Sequence, residues 1–403
     1  MGIGPLNRRE FFLGGAALPL LGAGSLPKLK ITAMEVFVIK VNARGNWIFV
    51  RLKTDRGLTG VGEASHGGPG RTTGEGDRRM QAALGEYFEL IRDRSPLEIE
   101  AYRQRGRARA QAGGRLGATA FSALEQAQWD LAGKALGAAV HALPGGKVRE
   151  ELDVYANINR ATNVDRSPPA FAANARRAVE DGFRAIKAAT FDDFPGLGSP
   201  PAELEKAAAL GIARVEAIRR AIGPEVHLLI DIHSHFNRTL AIEVARRLEP
   251  QNLYWYEEPI RPQLVEETAA IGAAIKQRMA GGEALFGVES FAPLCRRRAL
   301  AIIMPDVKHC GGILEGRKIA ALAELDEISV APHNPSGPVA TAASVALCAG
   351  LPNFLILEHA WGEVPWRHEL ITPPEQFHGG KIRASEGAGF GVELNDRVVR
   401  AHV

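Results

Sequence analysis

Leu228-Leu229-Ile230-Asp231-Ile232-His233 is a short apolar run that ends on an acid and a histidine, and Leu253-Tyr254-Trp255-Tyr256-Glu257-Glu258 repeats the form a little further on. The pattern continues outward. Glu283 closes MAGGE (279–283), Asp306 closes AIIMPD (301–306), His333 closes SVAPH (329–333) and Glu358 closes FLILE (354–358). Successive intervals from Asp231 through Glu257, Glu283, Asp306 and His333 to Glu358 are 26, 26, 23, 27 and 25 residues. Helix-like segments such as TLAIEVARRL (239–248) and GRKIAALAEL (316–325) lie between the runs. A strand, a helix and two loops take about 25 residues, so the repeat is a βα unit and the series predicts a parallel barrel. Strand C-termini meet on one face of such a barrel, which brings residues far apart in sequence to one spot.

Upstream, LDVYANIN (152–159) begins the barrel and FRAIKAA (183–189) is its second strand, carrying Lys187. The step from Lys187 to Asp231 is 44 residues, and the excess is TFDDFPGLGSPP (190–201), a long loop expected over the active site. Before the barrel, KITAMEVFVIKVN and NWIFVRLKTDRGLTGVGEAS read as strands joined by turns at Asn42–Gly45 and Asp55–Gly57. A helical stretch then runs roughly from Asp77 to Leu136. The domains expected are an α+β capping module over 27–150, the barrel over 151–362 and a C-terminal segment over 363–403 that packs back on the first module.

The 403 residues are 46% apolar and 24% charged, with a net charge of +3. That composition predicts a large core, and no basic run marks a nucleic-acid footprint. Cys295, Cys310 and Cys348 are too few and too scattered for a disulfide framework or a zinc site. The N-terminus differs from the rest. Asn7-Arg8-Arg9-Glu10-Phe11-Phe12-Leu13 followed by GGAALPLLGAG resembles a Tat-type export signal over residues 1–26, which predicts a periplasmic protein, or a cytoplasmic one if the signal is not functional. Its apolar part is too short to span a bilayer.

Asp231, Glu257 and Glu283 end three consecutive strands. Three carboxylates at one point repel unless a cation is present. The choices are salt bridges to barrel lysines or a hard metal ion, and all-oxygen ligation favours Mg²⁺. Glu258 points to the opposite side of its strand and is not counted as a ligand. Asp306 beside His333 fixes the imidazole tautomer and raises its basicity, which makes a general base. His233, two residues after Asp231, faces the same side and serves either as a second acid/base or as a satisfied structural histidine. Lys187 neutralises a substrate carboxylate or a developing charge, unless it is tied up in an interior salt bridge. Glu358 donates a hydrogen bond to the intermediate if protonated and is otherwise a structural acid. His235, Lys308, His309 and His359 lie near the same rim without a specific role.

With these residues in place the chain resembles the enolase superfamily, and within it the mandelate racemase branch. QWDLAGKALGAAVHALPGGKV (128–148), EEP (257–259), GGE (281–283), MPDVKHCGGI (304–313) and APHNPSGPVATAA (331–343) carry the likeness, which spans nearly everything from Leu29 onward. The resemblance implies a modified TIM barrel, (β/α)7β, under an N-terminal α+β cap. It also implies Mg²⁺ at Asp231, Glu257 and Glu283, and removal of the proton α to a carboxylate. The second strand reads Lys187-Ala188-Ala189, so one of the two lysines common in the family is missing, and Asp306 stands where muconate-lactonising members carry a lysine. What remains is Asp306–His333 as base and His233 as acid, the pairing of the galactonate dehydratase type of acid-sugar dehydratase. The expectation is a hydro-lyase: His333 takes the α-proton, Lys187 and the metal stabilise the enediolate, and His233 releases the β-hydroxyl as water. Segments near Asn42–Trp47 and His66–Thr73 would close over the substrate. An epimerase using both histidines and a non-catalytic periplasmic binding protein are the rival readings. The expected partners are a small-molecule carboxylate and further copies of the chain in a homo-oligomer, with no nucleic acid and no membrane in the mature form.

Overall fold

A computed structural model of the protein describes residues 26–42, 45–67 and 74–403. Residues 1–26, read above as an export signal, therefore lie almost wholly outside the described residues, as do parts of the two segments expected to close over the substrate.

The cap opens with an antiparallel sheet of β1 (Ile31–Asn42), β2 (Gly45–Thr54) and β3 (Thr59–Glu63), in that order. The helical stretch expected over Asp77–Leu136 is three helices: α1 (Gly74–Phe88), α2 (Ile99–Ala112) and α3 (Gly114–Leu136). The chain turns between α1 and α2 at Asp93, which holds a left-handed φ of 60°. Charged IEAYRQRGRARAQA lacks a wide apolar stripe and is held as α2 by tertiary contact, with Tyr102 stacked 4.5 Å from Phe121 of α3. β3 lies flush against α3. A Cβ on Gly60 or Gly62 would collide with the Ala127 or Ala123 carbonyl, which is why this strand carries glycines.

The barrel strands are β4 (Glu151–Asn157), β5 (Ala185–Ala188), β6 (His227–Asp231), β7 (Trp255–Glu257), β8 (Met279–Gly281), β9 (Ile302–Ile303), β10 (Ser329–Val330) and β11 (Leu357–Ala360). Between them run α4 (Pro168–Glu180), α5 (Pro201–Ile222), α6 (Arg238–Arg247), α7 (Val265–Ala274), α8 (Gly287–Arg296), α9 (Gly312–Glu324) and α10 (Pro338–Ala349). All eight strands are parallel, β11 pairs with β4, and a bridge from Val330 to Phe354 closes the ring. This is the expected (β/α)7β barrel. The last strand is displaced from the FLILE reading: residues 354–356 touch β10 through one bridge, and the ladder to β4 begins only at Leu357.

Tyr155, Ala185, Leu229, Trp255, Met304, Ala331 and Ile356 pack together in the lumen as a floor. Strand side chains alternate with period two. The residues two positions on are Asn157, Lys187, Asp231, Glu257, Asp306, His333 and Glu358, so the polar site forms the next layer up, at the strand C-termini. β8 departs from this phase. Gly282, at φ 106°, shifts the chain by one residue and brings Glu283 into line.

The C-terminal segment is shared between both domains. Lys381–Arg383 adds an antiparallel strand to β4, the Phe390 N–H donates to Asp130 of α3 at 2.7 Å, and Asp396 pairs with Arg51 of β2. No helix among the described residues is long and apolar enough to cross a membrane.

Candidate active site

Lys187 lies where acids from three strands meet. Its ammonium pairs with Glu257 Oε1, stands 3.0 Å from Asp231 Oδ2 and 3.6 Å from Glu358 Oε1. All four side chains are buried, and Asp231 and Glu257 are direct register partners. Burial opposes the charge on Lys187, but the three carboxylates outweigh it and hold the ammonium well above its usual range. Burial, reinforced by the charge of Asp231, pushes the Glu257 carboxyl well up. Its Oε2 accepts from the Trp255 indole at 2.8 Å.

Glu358 accepts from Asn157 Nδ2 at 2.6 Å and from the Asn334 N–H at 2.8 Å. Burial would raise its pKa, yet Lys187, His333 and these two donors bring it below the ordinary value. Both Glu358 oxygens therefore accept hydrogen bonds from the protein, one from Asn157 and one from Asn334.

β6 ends at Asp231, and the next residues leave the strand geometry. His233 and Ser234 both adopt left-handed backbone, at φ 48° and 61°, costly for residues with a side chain. The His233 N–H donates back to Asp231 Oδ1 at 2.9 Å. The ring reaches the site through this turn rather than through strand alternation. Its Nε2 lies 3.1 Å from Asp231 Oδ2 and its Nδ1 2.5 Å from Asp192 Oδ1. Burial works against the imidazolium, but Asp231 and Asp192 overcome it and hold His233 well above the histidine range. Glu258 breaks alternation the same way, at φ 37°, and accepts from the Gly282 N–H at 2.7 Å. Burial and the charge of Glu283 raise its pKa to about 7.

On the other side of the chamber His333 Nδ1 is 2.7 Å from Asp306 Oδ2, and His333 Nε2 is 3.2 Å from Glu283 Oε2. Lys308 Nζ sits 2.6 Å from the same Asp306 oxygen, and the Lys308 N–H donates to Asp306 Oδ1 at 2.8 Å. Burial would raise Asp306, but Lys308, His309 and His333 keep it well below the carboxylate range. The imidazole therefore has a fixed anion behind Nδ1 and presents Nε2 to the chamber. His309 faces the cap, between Thr119 Oγ1 at 2.9 Å and Arg115 Nη2 at 3.1 Å. Since arginine only donates, His309 Nε2 must accept there. His359 stacks between Phe183 and Phe377, away from the dyad, and burial lowers it to about 3.

Asp231, His233 and Glu283 each turn a ligand atom to within 4.8 Å of the others. Asp231 Oδ2 and Glu283 Oε2 are buried and receive no hydrogen bond of good geometry, although cationic side chains lie within ion-pairing distance. Two carboxylate charges at such a separation repel by about 3–4 kcal/mol at an effective dielectric constant near 20. Lys187 and His233 face Asp192, Asp231, Glu257, Glu283 and Glu358, more acids than two cations offset, so the carboxylate set fits a hard cation. Of the three carboxylates expected to ligate, Asp231 and Glu283 belong to this group, and Glu257 adjoins it with Lys187 and Trp255 on its oxygens.

Sequence reasoning missed Asp192, Asn157 and Trp255, and placed Lys308 at the rim without its role beside Asp306. Asn157 and Trp255 sit on strands in phase with the site or its floor and could have been found by that phase. Asp192 comes from a loop and Lys308 from a turn, where no period operates.

Residues 32–145 match the family profile of the mandelate racemase / muconate lactonizing enzyme N-terminal domain, and residues 170–398 match the enolase C-terminal domain-like profile. The D-galactonate dehydratase of Variovorax paradoxus (strain S110) is 31% identical over 93% of this chain and 94% of its own. The D-xylonate dehydratase of Haloferax volcanii is 30% identical over 94% of this chain and 90% of its own. The crystal structure of a mandelate racemase/muconate lactonizing enzyme from Sulfitobacter sp. superposes with a TM-score of 0.81 at 33% identity, covering 93% of this chain and 96% of that one. With both domains matched in order over an acid-lined barrel mouth, the chain belongs to the enolase superfamily, in its mandelate racemase branch.

Proposed function

We propose that the protein is a Mg²⁺-dependent dehydratase of a sugar acid or related hydroxy acid. The observation that carries this reading is the pair of histidines facing one acid-lined chamber: His333 with Asp306 on its Nδ1, and His233 set between Asp192 and Asp231. β-Elimination of water needs one base and one acid, and these residues supply one of each. Asp231, Glu257 and Glu283 would hold the ion. When bound, Mg²⁺ supplies positive charge against the negative charge that develops on the substrate carboxylate.

His333 Nε2 takes the α-proton while Asp306 retains the hydrogen bond to Nδ1. The buried Lys187 ammonium adds a second fixed positive charge beside the developing enediolate. His233 passes its proton to the β-hydroxyl, which departs as water, and the enol becomes a 2-keto-3-deoxy acid. Glu358, braced by Asn157 and Asn334, stands beside Lys187 and helps to keep it in place. The relatives named for D-galactonate and D-xylonate agree with an aldonate substrate.

The test is incubation with D-galactonate, D-xylonate and other aldonates in Mg²⁺, assayed for 2-keto-3-deoxy acid. Product with at least one aldonate, abolished by EDTA and restored by Mg²⁺, is expected. No product from any of them, or product unaffected by EDTA, would contradict the reading.

A further inference from the structure

Asp192 Oδ1 lies 2.5 Å from His233 Nδ1, at the opposite end of the ring from Asp231. It stands on the loop after β5, and its side chain is only about one-quarter exposed. That loop is braced. Asp193 takes both arms of the Arg214 guanidinium, at 2.5 and 2.6 Å. Arg214, buried on α5, also donates to the carbonyls of Thr190 at 2.7 Å and Arg166 at 2.6 Å. A bidentate arginine that also binds two backbone carbonyls fixes a loop in position as well as in charge. Phe191 and Phe194, on either side of the acid pair, pack edge-on against Phe236 at 5.2 and 5.0 Å. Phe236 lies three residues after His233, so the loop and the left-handed turn carrying the histidine form one packed unit.

An imidazole that must present Nε2 needs an acceptor fixed at Nδ1. Asp306 provides this for His333, and for His233 it comes from the loop after β5, at Asp192. We propose that Asp192 is the positioning residue of His233, held in place by the Arg214–Asp193 brace, so that the chamber contains two histidine–aspartate pairs: one oriented to remove the α-proton and one to release the hydroxyl. The inference rests on the dehydratase reading for the role of His233, while the contact itself stands apart from it.

Asp192→Asn in the Mg²⁺-loaded protein tests this, in D₂O, with the aldonate that the wild type turns over best. Formation of the keto-deoxy acid is expected to fall about 10²–10⁴-fold, as when the partner of a catalytic histidine is neutralised. Exchange of the α-hydrogen with solvent and KM should stay near wild type, because the His333–Asp306 pair is untouched. Arg214→Lys, which loosens the brace but leaves the carboxylate, should give an intermediate loss. Product formation by Asp192→Asn at a rate close to wild type would overturn the proposal. So would loss of exchange and dehydration together, or loss of fold, which would make Asp192 merely structural. A wild type that forms no product from any aldonate defeats the dehydratase reading instead. The ¹⁵N resonance of His233 Nδ1 then decides the positioning claim by itself: a shift on Asp192→Asn upholds it, and an unchanged resonance overturns it.

Discussion

Glu125 of the cap presses against Gly312 at the first turn of barrel helix α9, so closely that a Cβ on Gly312 would collide with its carboxylate. The carboxylate accepts the backbone N–H groups of Ile313 at 2.7 Å and Leu314 at 2.8 Å. α9 has glycine at its own N-cap, so its capping group comes from the other domain. Glu63 of β3 does the same for α10, accepting from Gly337 at 2.7 Å and Ala340 at 2.8 Å. These two helices begin just after the turns that carry Asp306–His309 and His333–Asn334. Docking of the cap therefore stabilises the helices that follow the His333–Asp306 pair.

Gly312→Ala should disrupt this contact. Gly312 holds φ 88°, where a side chain costs about 1–3 kcal/mol before any collision. A lowered thermal midpoint is expected by calorimetry, with weaker Mg²⁺-stimulated activity. Burial pushes Glu125 up to about 8 against the three N–H donors it accepts. The folded state thus holds a proton that the unfolded chain, titrating near 4.5, has released. That contribution to stability is complete below pH 4.5 and is lost as pH rises through about 8. Glu125→Gln should be less stable throughout, but with a smaller drop in melting temperature between about pH 5 and about pH 8.5 than the wild type shows. An equal drop in both proteins would contradict this.

Glu283→Gln removes a negative oxygen from the proposed hard-cation site. The wild type is expected to bind Mg²⁺ and to melt higher with it; in the variant, isothermal titration should show a sharply lower affinity and the rise in melting temperature should shrink with it. Unchanged affinity would remove Glu283 from the ligand set.

The barrel was legible because each strand must fill a floor and then present a polar side chain one layer higher, which writes period two into the strands and a longer period into the chain. That rule found Asp231, Glu257, Asp306, His333 and Glu358. It fails where the backbone turns left-handed. His233 was placed on the right side for the wrong reason, and Glu258, read as pointing away, is drawn back to Gly282 and Glu283 by its φ of 37°. Contacts between domains leave no local trace, so Glu63 and Glu125 could not be read as helix caps. Asp192 depends on a loop brace whose partner, Arg214, lies a helix away.

Export rests on Arg8-Arg9 and the apolar run that follows, and we propose that the chain leaves the cytoplasm by this route. Replacing both arginines by lysine should retain the protein in the cytoplasm in its uncleaved form. Fractionation followed by mass measurement of the N-terminus checks this, and undiminished periplasmic recovery would contradict it.

The most direct test of the mechanism is proton NMR in D₂O on the wild type and His333→Asn, each loaded with Mg²⁺ and given the same aldonate. Wild type should convert it to the keto-deoxy acid. His333→Asn, which keeps size but cannot accept the proton, should lose both α-hydrogen exchange and product by about 10²–10⁴-fold or more while still binding Mg²⁺. A wild type that labels the α-carbon yet never forms keto-deoxy acid, or a His333→Asn variant that still does, would contradict the account.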